Sequence, residues 1–150
     1  MSAPKIVSSQ AFTVLGIAID TTPGSPEIGA LWQTLMSQPK QDFRRAEPGV
    51  AYGVMQLEHS SGVLRYMAGE AVSSEVAAPS SMQLWNVPAR DYAVFSADLE
   101  NVSQMFNHAY ANWLPSSGFT RGDAPDLERY GQDFGDESTD FEIWIPIQKP

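Results

Sequence analysis

Two amphipathic stripes of the same spacing lie about 75 residues apart, each flanked by strands in the same order, which reads as an internal repeat. In the first, Ile28, Leu31, Trp32, Leu35 and Met36 fall at i, i+3, i+4, i+7 and i+8 and so share one helical face. Ser25-Pro26-Glu27 opens that helix with an N-cap, a proline suited to the first turn and an acid near the positive end of the helix dipole. Pro39 stops it. In the second, Val102, Met105, Phe106, Ala109, Tyr110, Trp113 and Leu114 repeat the pattern and are closed by Pro115 and Gly118. Before the first stripe, Phe12 to Ile19 reads as a buried strand; after it, Ala51 to Glu58 and Leu64 to Val72 read as two strands joined by a turn at His59 to Gly62. The second stripe follows a strand within Val87 to Ala97 and precedes two more, Asp126 to Phe134 and Asp140 to Gln148, separated by an acidic turn. One βαββ unit cannot cover both its helix stripe and its sheet face, whereas two side by side can. The expectation is therefore an α+β fold: a duplicated βαββ unit whose antiparallel sheet carries two helices on one face. Its repeats would cover about residues 10–75 and 84–148 of one domain spanning 1–150.

Charge narrows the function. Lys plus Arg number 9 and Asp plus Glu 18, a net charge of −9. A nucleic-acid binder needs a basic face to displace phosphate counterions, and an anionic membrane surface repels such a chain. Cysteine is absent, which removes disulfides, thiol chemistry and sulfur-ligated metal and fits a reducing compartment. The near-apolar run Phe12 to Ile19 is too short for a membrane span or a signal peptide. A soluble, cytoplasmic protein is expected, with no direct nucleic-acid contact and no membrane. From Met1 the chain enters its first strand within about a dozen residues, which leaves no room for a helix-turn-helix.

Motifs for metal or nucleophilic chemistry do not emerge. His59 and His108 have no partners at ligand spacing and read as surface histidines. The acids Asp133, Asp136, Glu137 and Asp140 miss the calcium-loop pattern and read as a solvated turn. Asp133-Phe134-Gly135 matches a kinase tripeptide without the motifs that accompany it. Nucleophile elbows, Ser-His-Asp orders and phosphate-cradling glycine loops are missing. The expectation is no metal and no cofactor.

Aromatic residues are plentiful: seven Phe, four Trp and five Tyr. Alternation along Leu127-Glu128-Arg129-Tyr130 puts Glu128 and Tyr130 on the face opposite Leu127. In the last strand, Phe141, Ile143, Ile145 and Ile147 share an apolar face suited to the helices, so Trp144 points the other way. Tyr52, Tyr66 and Trp85 lie on neighbouring strands and would complete an aromatic cleft. Glu128 and Trp144 are expected together on the face away from the helices, with Trp32 and Trp113 as core. A carboxylate among rings suits lipophilic cations, because ring faces attract positive charge. Desolvation would also raise its pKa and fit it for general acid or base work. An ordinary exposed strand glutamate is the alternative for Glu128.

Four blocks bear on that choice: Val87-Pro-Ala-Arg-Asp-Tyr92-Ala-Val-Phe95, Trp113-Leu-Pro-Ser-Ser-Gly118-Phe, Pro125-Asp-Leu-Glu128-Arg-Tyr130 and Glu142-Ile-Trp-Ile-Pro146-Ile. In order and spacing they resemble the GyrI-like small-molecule-binding domains, the effector-binding domains of AraC-type and MerR-type transcription activators that also occur alone. The resemblance implies an SHS2-type, duplicated βαββ fold with a hydrophobic, aromatic-lined cleft for multidrug-like ligands. It places the family's pocket glutamate at Glu128 and its glutamate–x–tyrosine motif at Glu128 and Tyr130. It also implies that some free-standing members hydrolyse strained electrophiles with that glutamate. The first expectation is thus a stand-alone binder of lipophilic, cationic or drug-like molecules, with Glu128 for charge and Tyr52, Tyr66, Trp85, Tyr130 and Trp144 lining the cleft. The second is a metal-independent hydrolase with Glu128 catalytic. The third is an acidic protein-interaction or inhibitor module with a protein partner.

Overall fold

A computed structural model describes residues 3–38, 44–135 and 138–150. Pro39 and the acidic-turn residues Asp136 and Glu137 lie outside the described residues. Nine strands form one antiparallel sheet: β1 (Lys5–Ser9), β2 (Phe12–Thr21), β3 (Ala51–Leu57), β4 (Leu64–Val72), β5 (Gln83–Val87), β6 (Arg90–Ala97), β7 (Thr120–Arg121), β8 (Asp126–Tyr130) and β9 (Phe141–Gln148). Their order is β1-β6-β9-β8-β3-β4-β2-β5, with β7 paired to β9. The two βαββ units are visible in that order. β2, β3 and β4 form one half, β6, β8 and β9 the other, and the halves join where β3 pairs with β8.

Helix α1 (Pro26–Ser37) forms as its opening residues dictate. The Ser25 hydroxyl accepts from the Glu27 N–H at 3.1 Å, a cap worth about 1 kcal/mol. At its end Gln38 is already extended, the conformation forced on a residue that precedes proline. The second helix is composite: α2 (Val102–Asn107), a π-helical segment (His108–Trp113) and α3 (Leu114–Ser117). Pro115 has no N–H to return to the preceding turn, and the wide π segment sits directly before it. The Ser116 hydroxyl donates to the carbonyls of Asn112 and Trp113. Gly118, at φ +84°, takes the left-handed conformation that ends the helix.

Both helices cover one sheet face. Beneath α1 lie Ile17, Leu64, Tyr66 and Ala68; beneath the second helix lie Phe95, Phe141, Ile143, Ile145 and Ile147. The other face has a different fate. β1 stands at one end of the strand order and β2 near the other, yet only Gln10 and Ala11 join them. Pro88 and Ala89 likewise join β5, at the far end, to β6. Three peptide steps span at most about 11 Å, so the sheet must curl until its ends approach. The helix-free face thereby becomes the inside of a barrel, filled by Val14, Val54, Met67, Tyr92, Val94 and Leu127, all 3% exposed or less. No helix among the described residues is long and apolar enough to cross a membrane.

Two sequence expectations change here. The strand expected within Val87 to Ala97 is β6, which starts at Arg90 beyond Pro88, whereas β8 ends at Tyr130 rather than Phe134. The helix-free side is a closed interior, not an open face.

Candidate functional site

Register decides which side each candidate takes. Glu128 pairs with Ile143 and with Gly53, and Gly53 pairs with Ala68, so the Glu128 side chain stands on the helix face. Tyr66 pairs with Ile19 under α1, and Tyr130 packs on Phe141 at 4.5 Å, so both share that face. Trp144 pairs with Leu127 and Val94 and faces the barrel interior. Tyr52 and Trp85 also pack against the interior cluster. The expected six-residue cleft is therefore two sites: Glu128, Tyr66 and Tyr130 on one side of the sheet, and Tyr52, Trp85 and Trp144 on the other. The placement of Glu128 on the helix-free face is corrected. Alternation fixes only which residues oppose each other, and the helices cover the side that holds the carboxylate.

Around Glu128 the hydrogen bonds run in one direction. The Trp32 indole N–H donates to the Tyr66 hydroxyl at 2.8 Å. That hydroxyl must spend its own proton on Glu128 Oε1, at 2.6 Å. Tyr130 donates to the same oxygen at 3.2 Å. Among the described residues Glu128 Oε2 takes no hydrogen bond, and it is not sealed from solvent. Burial pushes the Glu128 carboxyl above its ordinary value, partly offset by the two tyrosine hydrogen bonds. Burial, then the charge of Glu128, raises the Tyr66 phenol well above its usual range. Both effects express one fact: among the described residues, negative charge is held here with no cation bonded to it.

Gly53 makes the contact possible. A Cβ on it would lie 2.4 Å from the Tyr66 hydroxyl oxygen and 2.6 Å from Glu128 Oε1. The bare backbone of β3 lets Tyr66 on β4 reach across to Glu128 on β8. Spacing did not single out Gly53, although a glycine inside a strand is a known sign of close approach.

Beside this cluster lies a cleft of about 810 Å³, with Trp32, Leu35, Met36, Met82, Leu99 and Phe134 among its walls. That is the size of a drug-sized ligand site. Trp32 and Tyr130 meet edge to face at 5.2 Å, and this ring pair stands between the cleft and Glu128, which does not itself line it. Trp32, expected as core, is thus a half-buried cleft wall. Met36 and Leu99 are 82% and 67% exposed, so two of the large apolar side chains left in solvent belong to the cleft. Among the described residues the charged lining side chains are Arg45 and Glu70, paired to each other.

The other three candidates meet a different environment. Tyr52 donates to Glu47 at 2.6 Å, and Arg129 bonds Glu47 at 2.9 Å and Tyr52 at 3.3 Å. Trp144 donates to Glu142 at 3.2 Å and packs on Tyr92 at 5.4 Å. Trp85 donates to Gln83 on its own strand. Tyr52, Glu47, Arg129, Glu142 and Trp144, with Lys5 against Glu142, form a paired network around a shallower hollow of about 470 Å³, from which Trp85 stands apart.

Comparison with known proteins agrees with the fold. The family model described as the GyrI-like small molecule binding domain matches residues 2–148. The transcriptional regulator BrlR of Pseudomonas aeruginosa is 28% identical over 148 residues, 95% of this chain and 54% of BrlR, so the chain spans about half the length of that regulator. Among solved structures, SAV2435 bound to tetraphenylphosphonium superposes with a TM-score of 0.77 at 19% identity, over 98% of this chain and 94% of that one. A hydrolase from Listeria innocua superposes with a TM-score of 0.58 at 10% identity, over 97% of this chain and 92% of that one.

Proposed function

Because the chain belongs to the GyrI-like small-molecule-binding family, we propose that its ligands are lipophilic cations and that Glu128 supplies the charge they meet. One observation carries this: a half-buried carboxylate set among Trp32, Tyr66 and Tyr130, with one oxygen held by two hydroxyls and the other without a hydrogen-bond partner among the described residues. A cation is the partner such a group lacks. Its charge would be repaid by an ion pair in a desolvated site, and its apolar body by ring faces. The apolar cleft in front of Trp32 and Tyr130 supplies the remaining surface. On this reading the ring pair opens as the ligand enters and brings its charge to Glu128. The ligand in the SAV2435 structure is a lipophilic cation, which supports this chemistry for the fold.

Titration with tetraphenylphosphonium, followed by tryptophan fluorescence, tests it. Glu128→Gln keeps the shape and an oxygen for both tyrosines while removing the charge. Affinity should fall by about 1 kcal/mol or more, the charge–charge attraction lost between the phosphonium and a partly desolvated carboxylate. Equal affinity in the variant would end the charge assignment.

A second reading has its own observation. The raised pKa of Glu128 and the one-way chain from Trp32 through Tyr66 suit a carboxylate that takes a proton from water, as a hydrolase of strained electrophiles requires. Incubation with such electrophiles, read by mass spectrometry, separates the two. A hydrated product that Glu128→Gln does not make supports hydrolysis, and intact compounds support binding alone. Any role in transcription, through a partner or a longer protein, would be a use of this binding step.

A further inference from the structure

Glu70 was not expected in the site, yet it stands on the cleft floor. It follows the Tyr52↔Gly69 pair on β4, opposite Leu15, and its carboxylate lines the cleft. Arg45 holds Glu70 Oε2, while Oε1 takes no hydrogen bond among the described residues. The pair is only partly exposed, with side chains at 25% for Arg45 and 35% for Glu70, and apolar neighbours line the cleft around it. Two carboxylates thus flank the Trp32–Tyr130 rings, Glu70 in front and Glu128 behind, each with an oxygen to give. Two strand spacings and two residues along the strand separate them, which puts their Cα atoms about 12 Å apart.

We propose that the site is built for elongated dications, with one charged N–H group at Glu128 and the second at Glu70. This rests on the reading of Glu128 above and goes beyond it by naming a second anchor and a length. A monocation meets one carboxylate and leaves the other without a ligand. A bis-amidine or bis-ammonium compound whose charges lie at about that separation, roughly 8–12 Å, meets both. The net charge of −9 favours a doubly charged ligand at long range as well.

The test uses bis-benzamidines of increasing linker length and the matching mono-benzamidines, titrated against the wild type, Glu70→Gln and Glu128→Gln. In the wild type the dication of matching length should bind about tenfold tighter than its mono counterpart, the size of one extra charged contact. Glu70→Gln should remove that advantage, so that the dication and its mono counterpart bind about equally. Affinity should also peak with linker length in the wild type, a readout that needs no variant to fold. A flat length series, or an advantage that survives in Glu70→Gln, overturns the dication proposal while the Glu128 reading stands. Mono-benzamidine binding that ignores Glu128→Gln overturns the reading beneath it.

Discussion

The two faces of one sheet carry similar side chains and do different things with them. On the barrel side, Tyr52, Trp144, Glu47, Glu142 and Arg129 bond one another, so every charge has its opposite within reach. On the helix side, Glu128 has three hydroxyl and indole groups arranged around it but no cation among the described residues. The first arrangement closes a barrel; the second is incomplete until something positive arrives. An aromatic-rich, acidic composition therefore does not mark a binding site by itself. What marks it is an imbalance of charge in a place with room.

Variants sharpen that contrast, beginning with the largest effect. Trp144→Ala should cost about 3 kcal/mol of stability, because its ring covers Tyr92 in the barrel interior, and denaturant melts would show it. Cation affinity of the folded fraction should not change. A loss of affinity with no loss of stability would return Trp144 to the ligand site. Gly53→Ala should cost about 2 kcal/mol by overpacking, and here binding should fall as well, because the new methyl separates Tyr66 from Glu128. Unchanged affinity would mean the Tyr66 contact is dispensable.

Tyr52→Phe removes two hydrogen bonds on the barrel side, to Glu47 and from Arg129, and leaves the Glu47–Arg129 pair. It should cost about 1 kcal/mol in the melt and nothing in affinity.

Glu128→Gln has the smallest and most diagnostic effect on stability. A carboxyl raised above its ordinary value of 4.5 favours the folded state when protonated. That stability is present below the unfolded value and lost as pH rises through the folded one. The variant should therefore melt close to the wild type in acid and above it at neutral pH. A variant less stable than the wild type at pH 7 would mean that the ionised carboxylate is already well compensated.

Much of this was legible in the sequence. The two stripes and six apolar strands were enough for the duplicated βαββ order, because helix and strand periods are local signals. The curl was not legible. β1 is short and largely polar, β5 ran into β6 in the pattern, and closure depends on which distant strands the links Gln10-Ala11 and Pro88-Ala89 connect. Alternation correctly set Glu128 and Tyr130 against Leu127 and turned Trp144 away from the helices. It placed Glu128 on the wrong side because an acid under helices is normally expensive, and only Gly53 and the Trp32–Tyr66 chain make it tenable. Trp32 was hidden for a related reason: on a helical stripe, a cleft wall and a core residue obey the same spacing.

The four tryptophans supply the most direct test, because Trp32 lies on the helix side at the cleft and Trp85 and Trp144 on the barrel side. Each indole N–H gives its own cross-peak in a proton–nitrogen correlation spectrum and can be assigned by single Trp→Phe replacements. On addition of tetraphenylphosphonium, the Trp32 peak should move most, since its bond to the Tyr66 hydroxyl is remade as the ring pair opens, while Trp85 and Trp144 stay in place. Movement of Trp144 with Trp32 unmoved would put the ligand on the barrel side and contradict the assignment of the site to Glu128.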